Sequence, residues 1–514
     1  MVIMVKNRPL NALLLCIVLL ASCTPAPTPT ITQAAPTAEP VPPPTQHPAD
    51  ASYVRPIGTA ANAVATVTGL TESVSFYRLR LEYTSSSDWT TLTLLTPDHV
   101  LAIRQLTILE PPASGSVELT NLSLSQPLSA AETGFLIGLT VDVAVAPQAV
   151  DQPLEFLLQK GALNSSTVRV YLVDEEEISL LLEVDHQGEV AGSADTNPYP
   201  FTLDLSSLRD VPPRQAMAGR AEVPQMVWAF YYPWYSHASW SSNQLVDRPD
   251  DPYASNDPQA IARQIEQAQA AGIDGFICSW WGPGTESDVN LTTLLDLAAE
   301  RDFKVAIYFE TLDNGIGRKE TEIFAWLQYA LRTHGGHPAY MQVNGKPLVA
   351  LWATEAVHPR DWQIVFNALF LNQVDATFIG MGYTASNLEL FEGYHIYGAF
   401  TYPNLAETDA LAARLATYYP LLMDHAIPKI YVATVQPGYD DHLLPDREGG
   451  QVQERLDGAY YRSTFEAALA SDPDWIFITS WNEWWETTQI EPSATYGDLY
   501  LQITREYVDI WKSP

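Results

Sequence analysis

Cysteine is almost absent from this 514-residue chain, in which Cys16, Cys23 and Cys278 are the whole supply. The first two fall in or just after an N-terminal apolar run, so no intrachain disulfide framework is open to the folded part. Cys278 follows Phe276 and Ile277 and reads as a buried core thiol, not a nucleophile. Bases are scarce too. With 27 Lys and Arg against 61 Asp and Glu, the formal charge is −34. Such a surface repels anionic lipid and phosphate backbones, so nucleic acid is excluded as a partner. A GxSxG elbow, a Gly-rich phosphate loop and a paired CxxC are also missing, which removes serine-hydrolase, nucleotide-binding and zinc-finger chemistry. His334 and His337 have a spacing seen at metal sites, but they stand in a turn before Pro338 with no Cys or second acid pair beside them. No metal is expected there.

Long apolar runs are lacking after the N-terminus. Residues 1–23 have a charged start at Lys6 and Arg8, an apolar stretch from Ala12 to Ala21 and small residues after it, the pattern of a secretion signal. Its end, Leu20-Ala21-Ser22-Cys23, resembles the bacterial lipoprotein lipobox, which implies lipidation of Cys23 and membrane attachment through a lipid anchor alone, on the extracytoplasmic side. Residues 24–50 are rich in Pro, Thr and Ala and read as a stiff tether. At ~3.1 Å per residue, such a linker reaches ~80 Å.

Two textures follow. Residues 51–211 carry short alternating or apolar runs, such as Phe76 to Tyr83 and Val168 to Val173, separated by turn-rich segments without a helical period. An antiparallel β-sandwich-like domain is expected, serving as a carbohydrate-binding module or as a structural partner. Residues 223–514 alternate strands with amphipathic helices. Eight strands can be counted, at Met226 to Tyr232, Gly275 to Trp280, Val305 to Glu310, Leu348 to Trp352, Thr377 to Met381, Gly398 to Tyr402, Ile430 to Val435 and Trp475 to Trp481. The fold class is therefore α/β, a (β/α)8 TIM barrel preceded by an all-β sandwich-like domain.

Aromatics are what the chain has in excess, with 14 Trp and 25 Tyr. In a barrel the C-terminal strand ends share one mouth. Tyr232, Trp234, Tyr235, Trp280, Trp281, Glu310, Trp352 and Tyr402 would collect there, with no Lys or Arg at the strand ends, which suits a neutral polyhydroxylated ligand. The last strand runs into Trp481-Asn-Glu-Trp-Trp-Glu486, where the indoles offer faces for stacking on pyranose rings and Asn482 can bond hydroxyls or orient a carboxylate. Glycosidic cleavage needs two carboxyl groups in unequal environments, and Glu483 and Glu486 can supply them. The ring-rich setting is expected to raise the pKa of Glu486 and keep it protonated. Glu491 before Pro492 reads as a residue that caps or orients the loop.

Several segments resemble glycoside hydrolase family 99, which contains endo-α-mannosidases and endo-α-mannanases. They are Phe230-Tyr-Tyr-Pro-Trp-Tyr235, Gly272 to Gly284, His337-Pro-Ala-Tyr340 with Gly345-Lys-Pro-Leu348, and above all Asn482 to Pro492. The resemblance covers the barrel. It implies a retaining endo-acting hydrolase of oligo- or polysaccharides without cofactor. Glu483 would deprotonate the sugar's own 2-hydroxyl to form a 1,2-anhydro intermediate, and Glu486 would act as general acid and then base. Tyr232, Trp281, Glu310 and Tyr402 lie in segments that contact substrate in that family, and Trp485 is a further candidate contact. Trp485 stands where the family has His, and Thr487 where it has Gly. A glycosyltransferase-like barrel of polysaccharide biosynthesis and a non-catalytic surface glycan-binding lipoprotein remain as alternatives, and the oligomeric state is open.

Overall fold

The structure, a computed structural model, describes residues 70–85, 90–95, 99–108, 116–118, 123–126, 137–160, 166–174, 178–186 and 199–513, apart from 384, 403, 423–427, 446 and 448. The signal segment, Cys23 and the 24–50 tether lie outside the described residues.

Eight parallel strands close on themselves: β1 (Met226–Tyr231), β2 (Gly275–Trp280), β3 (Lys304–Phe309), β4 (Lys346–Leu351), β5 (Thr377–Met381), β6 (Gly393–His395), β7 (Ile430–Val435) and β8 (Trp475–Ile478). Each pairs with its neighbour, and β3 pairs with β4, so no edge of the ring is left open. A helix follows every strand: α1 (Pro258–Ala270), α2 (Glu286–Glu300), α3 (Glu320–Thr333), α4 (Pro359–Leu371), α5 (Ala385–Leu390), α6 (Leu405–Tyr418), α7 (Ala459–Ala470) and α8 (Leu499–Lys512). This is a complete (β/α)8 barrel.

Strand alternation sorts side chains into two cores. Trp228, Phe230, Ile277, Ala306, Tyr308, Ala350, Ile379, Val432 and Phe477 fill the interior. Val227, Ala229, Tyr231, Phe276, Cys278, Trp280, Val349 and Ile476 face the helices. Cys278 is a buried thiol of this shell, and burial pushes its pKa up. The helices begin and end where their chemistry dictates. On α1, the Asp257 side chain accepts from Gln259 N at 2.9 Å, Pro258 sits in the first turn, and Ile261, Ile265 and Ala268 are buried. The chain then leaves through Gly272 at φ +84°, where a Cβ would meet Val508 Cγ1 at 2.8 Å. On α8, the spacing of Tyr500, Ile503, Tyr507 and Ile510 predicts a stripe facing the barrel; the first three are buried, but Ile510 points to solvent and Trp511 takes its place. The 3.6-residue period explains this: a stripe through 500, 504 and 507 returns at 511.

Strand six is the element that sequence reading misplaced. It spans Gly393–His395, whereas Gly398 to Tyr402 forms a one-turn 3-10 segment at Ala399–Thr401 and its exit. A three-residue strand containing Gly and His carries no β-propensity signal, while Phe400 and Tyr402 do.

Before the barrel, two antiparallel sheets face each other. One orders strands 100–108, 137–145, 70–85, 166–173 and 178–186, with 214–219 paired to the start of 70–85. The other orders 199–203, 154–160, 90–94, 123–126 and 116–118. Leu79, Leu81, Tyr83, Val141 and Val143 of the first meet Leu94, Phe156, Leu158 and Leu203 of the second in one core. The other face of the first sheet turns to the barrel. Its Phe76, Ala102, Ala144 and Ala218 are continuous with the helical shell, and Arg104 bonds Glu389 on α5 at 3.2 Å and the Leu422 carbonyl at 3.0 Å.

Candidate active site

The C-terminal end of β8 brings Glu483 and Glu486 to the mouth, and their surroundings differ. Glu483 is 5% exposed, and its Oε1 accepts from the Tyr235 hydroxyl and the Trp485 amide, both at 3.1 Å. Its own amide donates to Ser480 Oγ at 2.8 Å. Burial, and then the charge of Glu486, push the Glu483 carboxyl well above the ordinary carboxylate range. The Oε1 of Glu486 accepts from Arg447 Nη2 at 2.8 Å, while its Oε2 accepts from the Tyr397 hydroxyl at 3.4 Å. The two acids thus differ in their partners: Glu486 has a guanidinium donor, and Glu483 has only neutral donors.

Arg447 and Tyr397 are the residues that sequence reading missed. Arg447 stands in the long loop after β7, so a base reaches the mouth from outside the strand ends, where none was expected. A loop has no period from which to read direction, so nothing in the sequence pointed Arg447 at the acids. Tyr397 follows from the strand's position once that is known. With strand six at Gly393–His395, alternation sends Tyr394 and Ile396 to the shell and His395 and Tyr397 to the interior. Its hydroxyl meets that of Tyr232 at 2.7 Å, and its ring stands edge-on to Trp352 at 5.0 Å. Tyr402, chosen for that position, instead lies after the 3-10 turn with its ring 6.5 Å from Tyr383.

The other predicted residues divide. Tyr235 forms the centre of a stack, with Trp240 at 4.9 Å on one side and the half-buried Trp485 at 6.3 Å and 26° on the other. Trp234 lies 4.8 Å from the ring of Tyr232 and 6.4 Å from that of Trp281. On β2, Ser279 points inward and links two candidates: it accepts from Trp281 Nε1 at 3.1 Å and donates to Glu310 Oε1 at 2.7 Å. Burial raises the Glu310 carboxyl to about 8 against the opposing Ser279 bond.

Trp280 does not reach the mouth. Alternation turns it outward, fully buried, with Nε1 on Asp288 at 2.9 Å and its ring against Trp326 and Tyr329. For the same reason Trp481 packs on Phe276 in the shell. Trp484 is also enclosed, edge-on to Trp240 and bonded to Glu491 Oε2 at 3.1 Å. Of the three indoles in the motif, only Trp485 keeps an open part.

Asn482 is fully buried and holds the backbone. Its Oδ1 accepts from Tyr232 N at 2.7 Å, and its Nδ2 donates to the Tyr232 carbonyl at 3.0 Å and to the Tyr253 hydroxyl at 3.1 Å. It thereby locks the end of β1 to the end of β8. Glu491 extends that lock, accepting from Gln264 Nε2 at 2.7 Å, the Tyr253 hydroxyl at 2.9 Å and Trp484 Nε1, as a loop-orienting residue would. Thr487 takes a left-handed φ of +54°. A β-branched residue is strained there, and its Oγ1 is tied to the Asp440 carbonyl at 2.8 Å. His334 bonds Asp288 at 2.8 Å, and no group of three or more potential metal ligands occurs among the described residues.

Residues 249–510, just over half the chain, match glycosyl hydrolase family 99. The chain belongs to this family. Among its relatives, a human glycoprotein endo-alpha-1,2-mannosidase-like protein is 26% identical over 296 residues, covering 50% of this chain and 62% of the human protein. Rat glycoprotein endo-alpha-1,2-mannosidase is 26% identical over 369 residues, with 58% and 78% covered. The chain therefore spans under two thirds of the human relative's length. A solved family 99 endo-alpha-mannosidase from Bacteroides thetaiotaomicron is 28% identical at a TM-score of 0.49, covering 56% of this chain and 97% of that one. The family 99 match contains every residue of the acid cluster and its partners from Tyr253 to Glu491, while β1 with Tyr232 and Tyr235 lies upstream of it.

Proposed function

We propose that the protein is a retaining, endo-acting glycoside hydrolase of α-linked glycans, mannan-like or related. The observation that carries this reading is the unequal pair at the end of β8, with Glu483 buried under phenol and amide donors and Glu486 on a guanidinium. Glu483 serves as base toward the sugar 2-hydroxyl. Its desolvated carboxylate has the high proton affinity that abstraction from a weakly acidic alcohol calls for. As the 2-oxygen loses its proton to Glu483 it bonds to the anomeric carbon, the bond to the leaving oxygen breaks, and Glu486 donates a proton to that oxygen. The product is a 1,2-anhydro sugar and a free chain end. In the second half Glu486 takes a proton from water, whose oxygen attacks the anomeric carbon, and Glu483 returns its proton to the 2-oxygen. Two displacements retain the anomeric configuration.

Tyr232 and Tyr397, bonded to each other beside Glu486, would hold the sugar at the cleaved bond, with Trp485 and Trp281 as stacking faces. The names of the human and rat relatives support an α-mannoside as substrate. The lipobox-like end at Cys23 supports a lipid-anchored extracytoplasmic enzyme, and loss of fatty-acid labelling in Cys23→Ala is the check.

Purified protein should release shorter oligosaccharides from α-mannan or α-linked gluco- and manno-oligosaccharides, and Glu483→Gln or Glu486→Gln should abolish release. Binding of the same glycans without turnover, unchanged in both variants, would establish a non-catalytic glycan receptor. A requirement for a sugar nucleotide would establish a transferase.

A further inference from the structure

The loop after β7 presents one guanidinium to the acid pair. Arg447 is 7% exposed in its side chain, and among the described residues it bonds Asp441 Oδ2 at 2.6 Å, the Tyr439 hydroxyl, and Glu486 Oε1 at 2.8 Å. Asp441 is itself fixed, 2% exposed, accepting from Gln451 N at 2.5 Å and from the Tyr439 hydroxyl at 2.8 Å. The same loop is tied to the catalytic segment by the Asp440 amide on the Glu486 carbonyl at 2.8 Å and by Thr487 Oγ1 on the Asp440 carbonyl. Position and charge are therefore set together.

We propose that Arg447 is a positioning residue of the hydrolysis, holding Glu486 against the Tyr397 hydroxyl and setting how readily that carboxyl takes up the proton it must give to the leaving oxygen. The proposal rests on the role of Glu486 given above. A general acid is needed in its protonated form, and a guanidinium in contact favours the opposite form. The other ionisable groups facing Glu486 among the described residues are acids and phenols. From its own segment there is Glu483, from the β3 end Tyr308 and Glu310, from β1 Tyr232, from β6 Tyr397, and from the β7 loop Tyr439 with Asp441 beyond the arginine. Among the described residues, Arg447 is the only cation bonded to either acid of the pair. Without it, the ionisable groups facing the carboxyl among the described residues would be acids and phenols.

The test is the pH dependence of kcat/KM for Arg447→Met, Arg447→Lys and Asp441→Asn. In Arg447→Met the alkaline limb should move up by about one pH unit, the size expected for losing a contact charge, with kcat falling more than KM rises. Arg447→Lys keeps the charge without the fork and should leave the limb within a few tenths of a unit of wild type, with kcat partly restored. Asp441→Asn removes the competing acid, so the limb should move down. Superimposable profiles in all three would overturn the proposal, since a merely structural arginine lowers activity without moving the limb. Carboxyl carbon NMR on full-length protein labelled at Glu Cδ keeps the test independent of turnover. The resonance lost in Glu486→Gln should titrate at higher pH in Arg447→Met, and an unmoved midpoint counts against the proposal even if wild type hydrolyses nothing.

Discussion

The two ends of the barrel surround their carboxylates differently, with Glu486 on Arg447 as the exception at the mouth. At the N-terminal end, acids meet cations and backbone amides. Asp274 takes Lys512 at 2.5 Å and the Val227 amide at 2.7 Å, Asp474 takes Arg220 at 3.2 Å and the Tyr431 amide at 2.7 Å, and Asp375 takes Lys346 at 2.6 Å. These pairs tie strand starts to the end of α8, to the segment before β1 and to the start of β4. At the C-terminal end, Glu310, Glu483 and Glu491 are buried with hydroxyls, indole and amide nitrogens as donors, and burial lifts Glu310 to about 8 and Glu491 to about 7. A neutral donor satisfies an oxygen without cancelling its charge, so the desolvation cost stays in the folded protein as raised proton affinity. One end of the fold ties its acids to cations, and the other holds buried acids of raised proton affinity, of which Glu483 is the one the proposed chemistry draws on.

The largest expected effect separates the ends outright. Glu486→Gln or Glu483→Gln should lower kcat/KM by roughly a thousandfold or more with no loss of thermal stability, because an amide replaces a buried acid. Asp274→Ala should do the reverse, lowering stability by about 2 kcal/mol through the lost charged hydrogen bonds while the folded fraction keeps its turnover, as chemical denaturation and an activity assay on one sample would show. If Asp274→Ala costs activity and the glutamine variants cost stability, the division between the ends is wrong.

The next test is pH. Glu310 at about 8, and Glu355, Glu491 and Asp409 at about 7, all lie above their unfolded values. Over the window from about pH 4 to 8 the unfolded chain releases these protons before the folded one does, so their stability contribution is full at the acid side and is lost as pH rises. The melting temperature should therefore fall between pH 5 and pH 8, and Glu491→Gln should flatten the slope. Asp288, lowered to about 2 by its bonds to His334, Gly284, Trp280 and Tyr329 against burial, acts in the other direction only below that window. The smallest effect is at Thr487. Thr487→Gly relieves a strained φ worth about 1 kcal/mol but gives up the bond to Asp440 worth about the same, so stability should change by less than about 1 kcal/mol.

Much of this contrast was legible beforehand. Seven of the eight strands, the cap and proline of α1 and the acid pair can be read from apolar runs of β-branched and aromatic residues and from spacing, because those signals are local. The misplacements arise where direction or position has no local signal. Trp280 and Trp481 sit one residue from the mouth in sequence and face the other way in space, and Tyr402 displaced Tyr397 because the true sixth strand is too short to have a pattern. Arg447 was invisible because it reaches the acids from a loop whose path has no periodicity.

By itself, the sequence determined the barrel's composition of strands and helices, the scarcity of disulfides and bases, and the two acids three residues apart. Only the tertiary structure decided which of those acids is desolvated and which is ion-paired, and which tryptophans remain open. Proton affinity and exposure depend on what packs around a group, and at this mouth the packing comes from the ends of β1, β2, β3, β6, β7 and β8, segments brought together only when the ring closes.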